Sequence, residues 1–106
     1  MYAGISVEVI PNYDSPPLAG KTDVCLSCKV NGIDKLNLTS IIYQWKKNDT
    51  DIPHAEQKDL SLSPLKLSDA GTYTCQVTIV SASFQKSLPA ESCKHCDVKI
   101  KSNYYY

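Results

Sequence analysis

Cys28, Trp45 and Cys75 each fall on the apolar parity of a separate run in which every second residue is apolar. Val24, Leu26, Cys28 and Val30 form one run, Ile41, Tyr43 and Trp45 the next, and Tyr73, Cys75, Val77 and Ile79 the most regular. Successive side chains of a strand point to opposite faces, so each run presents one apolar face and the three residues share an interior. Two sheets about 10 Å apart can be pinned by one disulfide through the core, with an indole filling the space beside the sulfurs. The chain is thereby restricted to an all-β fold of two packed sheets.

The remaining segments read consistently with that restriction. Ile5, Val7 and Val9 alternate ahead of the first cysteine run, and Pro16-Pro17, inside the turn-prone stretch from Asn12 to Gly20, can break the first strand in two. Asn31-Gly32 marks a turn, and the run through Trp45 ends in Lys46-Lys47-Asn48-Asp49. Leu60, Leu62, Leu65 and Leu67 lead into Asp69-Ala70-Gly71; a long connection from Ser81 to about Lys94 then precedes Val98 and Ile100, which close the sheet. Short alternating strands separated by turn signals, without helical periodicity or internal repeat, predict a two-sheet sandwich.

A chain of 106 residues is long enough for one modest core and not for two. The domain is expected over residues 5–101, with 1–4 as an added linker and 102–106 as a tail or linker. Eleven basic and eleven acidic residues leave no net charge, so the broad electrostatic footprint of a nucleic-acid or membrane-surface binder is missing. No window approaches the roughly 20 apolar residues of a membrane span, and the first residues lack the basic and apolar segments of a signal peptide. Five cysteines in so short a chain point to cross-linking in an oxidising compartment outside the cell. The sequons Asn37-Leu38-Thr39 and Asn48-Asp49-Thr50 agree, making Asn37 and Asn48 candidate glycosylation sites.

The chain resembles the immunoglobulin superfamily through Leu26-Ser27-Cys28, Tyr43-Gln44-Trp45-Lys46 and the stretch LSLSPLKLSDAGTYTC from Leu60 to Cys75. The resemblance covers roughly Ile5 to Lys101 and implies an immunoglobulin-like Greek-key sandwich with Cys28 bridged to Cys75 and Trp45 packed against the bridge. It also implies that Tyr73 makes the tyrosine corner of the family, with Asp69 and Gly71 in the turn before it. On the loop-closure model such a bridge contributes on the order of 4 kcal/mol. The short interval from Trp45 to Leu60 is similar to the compact I or C2 sets and leaves no room for the extra strands of antibody variable domains. The cadence from Ser63 to Cys75 resembles extracellular domains of invertebrate adhesion molecules and receptor tyrosine kinases, sponge ones among them.

Three further cysteines fall outside the family pattern. Cys25 lies on the outward parity of its strand, whereas Cys93 and Cys96 flank the last one. Either Cys93 bridges Cys96 and Cys25 stays unpaired, or Cys25 bridges one of the two; the odd thiol left over could join two chains into a dimer. Cys93-Lys94-His95-Cys96 matches the spacing of thiol oxidoreductases but lacks their βαβ setting, because Val98 and Ile100 alternate just after it. A zinc site needs four converging ligands, and Cys93, Cys96, His95 and Cys25 or His54 supply only one knuckle. With no nucleophile elbow and no phosphate-binding glycine loop, no enzyme activity, metal or cofactor is expected.

What the resemblance implies about function is protein recognition by the extracellular part of an adhesion molecule or receptor, with a like domain or another protein as partner. A structural spacer in a tandem array is the alternative, and an intracellular muscle-type domain with reduced cysteines a third reading. Phe84 and Leu88, apolar residues in the long connection, are candidate contacts, with burial at the end of the core as the competing reading for Phe84. The outward set Gln44, Lys46, Gln76, Thr78 and Lys99 gives a polar, mixed face suited to reversible association.

Overall fold

A computed structural model describes residues 4–33 and 36–102; most of the expected linkers, at residues 1–3 and 103–106, lie outside the described residues. The strands are β1 (Ser6–Pro11), β2 (Cys25–Asn31), β3 (Leu38–Lys47), β4 (Thr50–Asp51), β5 (Asp59–Ser61), β6 (Gly71–Ser81), β7 (Gln85–Ser87) and β8 (Cys96–Val98). Short 3₁₀ turns occupy Leu67–Asp69 and Ala90–Ser92. One sheet has the order β1-β2-β5 and the other β4-β3-β6-β7, with β8 also paired to β6. After β2 the chain crosses to the second sheet for β3 and β4, then returns so that β5 lies beside β2, which makes the Greek-key sandwich.

The alternation read from the sequence is the alternation of burial. Val7, Val9, Leu26, Cys28, Trp45, Tyr73, Cys75, Val77, Ile79 and Val98 all face the interior, and no charged or polar residue is buried among the described residues. Leu62 and Leu65 join the core, whereas Leu67 is 53% exposed. Leu67 opens a 3₁₀ turn, and the change of backbone period turns its side chain outward.

Two connections depart from simple hairpins. After β1 the chain passes Pro16-Pro17 and leaves the first sheet: Leu18 forms a parallel bridge to Lys101, Lys101 N–H donates to Pro17 O at 2.9 Å, and Ala19 N–H donates to Lys101 O at 2.9 Å. Proline has no N–H to contribute, so it fits the point where one ladder stops and another begins.

The stretch from Ser81 to Lys94 is more ordered than the long connection read from sequence. It first makes a hairpin, with Ser81 N–H donating to Phe84 O at 2.8 Å and β7 pairing along Thr78, Ile79 and Val80. It then leaves the ladder, and β8 rejoins β6 at Gly71, Thr72 and Tyr73. Between these pairings Leu88 N–H donates to Val77 O at 2.9 Å, Cys93 bridges Val7 in parallel, and Lys94 N–H donates to Val7 O at 2.8 Å. The excursion therefore ties the second sheet to the first. Its strand β7, Gln-Lys-Ser, is exposed throughout and carries no apolar alternation, which is why periodicity does not reveal it.

Below the core, the Tyr73 hydroxyl donates to Asp69 O at 2.6 Å and the Asp69 carboxylate accepts from Lys66 N–H at 2.8 Å. Lys47 donates to Ser68 O, with its ammonium 6.0 Å from the centre of the Tyr73 ring. Burial first, and the negative charge of Asp69 second, push the Tyr73 phenol from its ordinary 10.0 up to about 12. Tyr73→Phe should lower stability to urea by about 1 kcal/mol, because the half-buried Asp69 carbonyl loses its donor. In the unfolded chain the phenol titrates near its ordinary value, so its contribution is full below pH 10 and is lost as pH climbs toward 12. Unfolding curves across that window should fall for the parent and fall less for the variant.

Candidate recognition face and cysteine cluster

Strand β6 pairs with β3 along nearly its whole length, and this register sets Trp45 directly opposite Cys75. On the facing sheet β2 presents Cys28, so both cysteines lie in the core with no exposed surface. They are in thiol-to-thiol contact. The Cys75 hydrogen bond, outweighing burial and aided by Lys58, holds the Cys28 thiol below its ordinary range, while the same contact and burial push Cys75 up. Trp45 satisfies its one polar atom by donating from Nε1 to Gln57 O at 2.7 Å. All five cysteines are free thiols in the structure.

The other three do not gather in one place. Cys25, across from Ser61, is on the outer side of the first sheet, where burial and then Asp59 push its thiol up. Cys93 and Cys96 pack against the core, so the sheet β1-β2-β5 stands between them and the outward-facing Cys25. Cys96 pairs across from Tyr73, with its thiol raised by burial and then by Asp97. Cys93 sits in the gap of the broken last strand: its thiol donates to Pro89 O at 3.7 Å and its sulfur accepts from the Val77 backbone. Burial, then the charge of Cys28, push the Cys93 thiol up. His54 and His95 are exposed, and no three metal-ligating side chains converge among the described residues.

The outer side of the second sheet is uncharged across its centre, with charges at its margins. Ile42, 46% exposed, stands opposite Thr78, and Gln44 stands opposite Gln76. Thr78 and Ser87 share a hydroxyl hydrogen bond at 2.9 Å, Gln44 donates to Ile52 O at 3.0 Å, and Gln76 donates to Leu88 O at 2.7 Å. Lys46 is paired with Asp51 at 2.9 Å, and Lys99 is exposed beyond β8. Phe84, 36% exposed, occupies the turn between β6 and β7. Leu88 corrects the sequence expectation: it is 2% exposed and belongs to the core, because its N–H is fixed to Val77 O and draws the side chain inward. Where the last strand is interrupted, a cavity of about 210 Å³ opens beside this face, lined by Lys46, Thr74, Cys75, Gln76 and Cys93 among others. A larger hollow of about 590 Å³ is formed by the Asn12–Lys21 loop alone and holds none of these groups.

The sequons occupy different settings. Asn37 is exposed just before β3. Asn48 and Asp49, at φ 50° and 65°, form the two-residue turn between β3 and β4, and Asn48 Oδ1 accepts from Thr72 N–H at 3.0 Å. The Asn48 amide lies over Gly71, where a Cβ would come within 3.2 Å of it and 3.0 Å of Lys47 Cε. Gly71 thus keeps the space above β6 open for that side chain.

Sequence reasoning missed Ile42 and the position of Cys93. Ile42 was legible as an apolar residue on the outward parity of β3; no local signal marks where the sulfur of Cys93 goes. With iodoacetamide on the reduced native protein, Cys25 should be labelled well before Cys28 and Cys75. Those two should react only as fast as the domain unfolds, which peptide mass mapping over time would show.

Residues 8–91 match the family model described as Immunoglobulin domain. No curated protein matches the chain. With the two-sheet topology, the buried Cys28–Trp45–Cys75 layer, the Tyr73 corner and a family match over most of its length, the chain belongs to the immunoglobulin domain family.

Proposed function

We propose that this domain is a protein-recognition module in the extracellular part of a cell-surface adhesion molecule or receptor, and that it binds through the outer face of its second sheet. The observation that carries the reading is Ile42, nearly half exposed among the hydroxyl and amide side chains of Thr78, Ser87, Gln44 and Gln76. An apolar centre in an uncharged polar surround sheds water at little electrostatic cost, and a second copy meets no like-charge repulsion there. A like domain is the partner this chemistry favours. Immunoglobulin domains are generally not enzymes, and recognition needs no reactive group.

In an oxidising medium Cys28 and Cys75 form the inter-sheet bridge, since their thiols already touch. Asn37 carries glycan clear of the face, and Asn48 borders it. A spacer role is supported by a separate observation: Leu18, 43% exposed and bridged to Lys101, and Leu67, 53% exposed, are apolar surface outside that face and able to dock on a neighbouring domain.

Sedimentation over a concentration series in the presence of reductant tests the recognition reading. Reversible association is expected, weakened at least about tenfold by Ile42→Asp with an unchanged circular dichroism spectrum. A strict monomer at every concentration would sink self-recognition and leave the spacer reading. The bridge has its own test: Cys28→Ala with Cys75→Ala should be about 4 kcal/mol less stable to denaturant than the oxidised parent.

A further inference from the structure

The interruption of the last strand places a third sulfur beside the core pair. Strand β6 has its ladder partners β7 and β8 above and below, and at Val77 the backbone is met instead by Leu88 N–H and by the Cys93 sulfur. Cys93 and Cys75 line the same cavity of about 210 Å³, which opens to solvent between Lys46, Thr74 and Gln76. Cys93 is also paired with Val7 on β1, and Val9, the next inward residue of that strand, is opposite Cys28. The charges of Cys28, Cys75 and Cys93 act on one another. Two cysteines at one opening, one of them in contact with a third, are the components of a thiol–disulfide exchange.

We propose that Cys93 is the internal exchange partner of the core bridge. This rests on the reading that Cys28 and Cys75 are joined outside the cell, by a small-molecule disulfide such as oxidised glutathione that is itself reduced to two thiols. The Cys93 thiolate attacks Sγ of Cys75, the Cys75–Cys93 bond forms, the Cys28–Cys75 bond breaks, and Cys28 leaves as a thiolate that takes up a proton. One disulfide and one thiol stand on each side, so no further oxidant or reductant is consumed. Attack falls on Cys75 because Cys75 and Cys93 line the same cavity, which leaves Cys28 as the departing sulfur. The exchange moves the bridge from between the sheets to within the second sheet and its edge.

The test uses the full chain, oxidised with glutathione disulfide and purified with the Cys28–Cys75 bridge in place. It is held at about pH 7 and at about pH 8, quenched with acid, alkylated unfolded and mapped by mass spectrometry. A Cys75–Cys93 peptide should accumulate with Cys28 newly alkylated, about tenfold faster at the higher pH, because Cys93 must ionise from a raised starting point. Cys93→Ser should abolish it, and a variant with both Cys25→Ser and Cys96→Ser should retain it. A core bridge that stays intact at both pH values, or that migrates to Cys25 or Cys96 instead, overturns the exchange alone. If Cys28 and Cys75 never join on oxidation, the bridged extracellular reading falls and the exchange falls with it.

Discussion

The contact of Cys28 with Cys75 beside Trp45 is the junction on which the rest of the sandwich depends, because it is where β2, β3 and β6 meet in one layer of the core. Strand β6 supplies Cys75 from the centre of its sheet, paired with β3 on one side and with β7 and β8 on the other. Each large apolar side chain buried around this layer is worth about 1.5–3 kcal/mol, and a core without buried charge leaves little of that gain to be offset by desolvation. The indole fills its place and still satisfies its N–H on Gln57 O, so the layer closes without an orphaned donor from Trp45.

The interrupted last strand shapes everything peculiar to this member of the family. A continuous strand would have covered β6 from Gly71 to Val80; here the chain turns aside after Leu88 and hydrogen-bonds to Val7 on the other sheet. Backbone groups freed by the detour are taken up by unusual partners: the Val77 amide by a sulfur, and Leu88 O by the amide of Gln76. The same detour buries Leu88, opens the cavity beside Cys75 and leaves Phe84 at the turn of a separate hairpin. A local change of path has set the positions of a core residue, an opening and a reactive side chain together.

Function in this fold resides in surfaces, and the two sheets present different ones. The outer side of the first carries Glu8 opposite Lys29 and Ser27 bonded to Asp59, a mixed charged surface. The outer side of the second is uncharged across its centre, with Ile42 exposed and its amides and hydroxyls held by neighbours. Groups already ordered lose little entropy on binding, so such a face is prepared for association of modest strength.

Alternation alone determined the all-β class and the inward parity of Val7, Leu26, Cys28, Trp45, Cys75 and Val77, because burial on one face of a strand imposes a period of two that survives in the sequence, whereas the Tyr73 corner was legible only through the resemblance to the family. The Pro16-Pro17 break was legible for the same local reason, since proline cannot continue a ladder. The exposed edge strand β7 has no apolar period to display, and Leu88 was read as surface because it stands in a long connection without apolar alternation. Only the tertiary structure decided that Cys25 faces away from Cys93 and Cys96, and that Cys93 reaches the core pair. Those placements follow from which backbone hydrogen bonds the detour makes across two sheets, a matter of pairing between distant segments that no local spacing encodes.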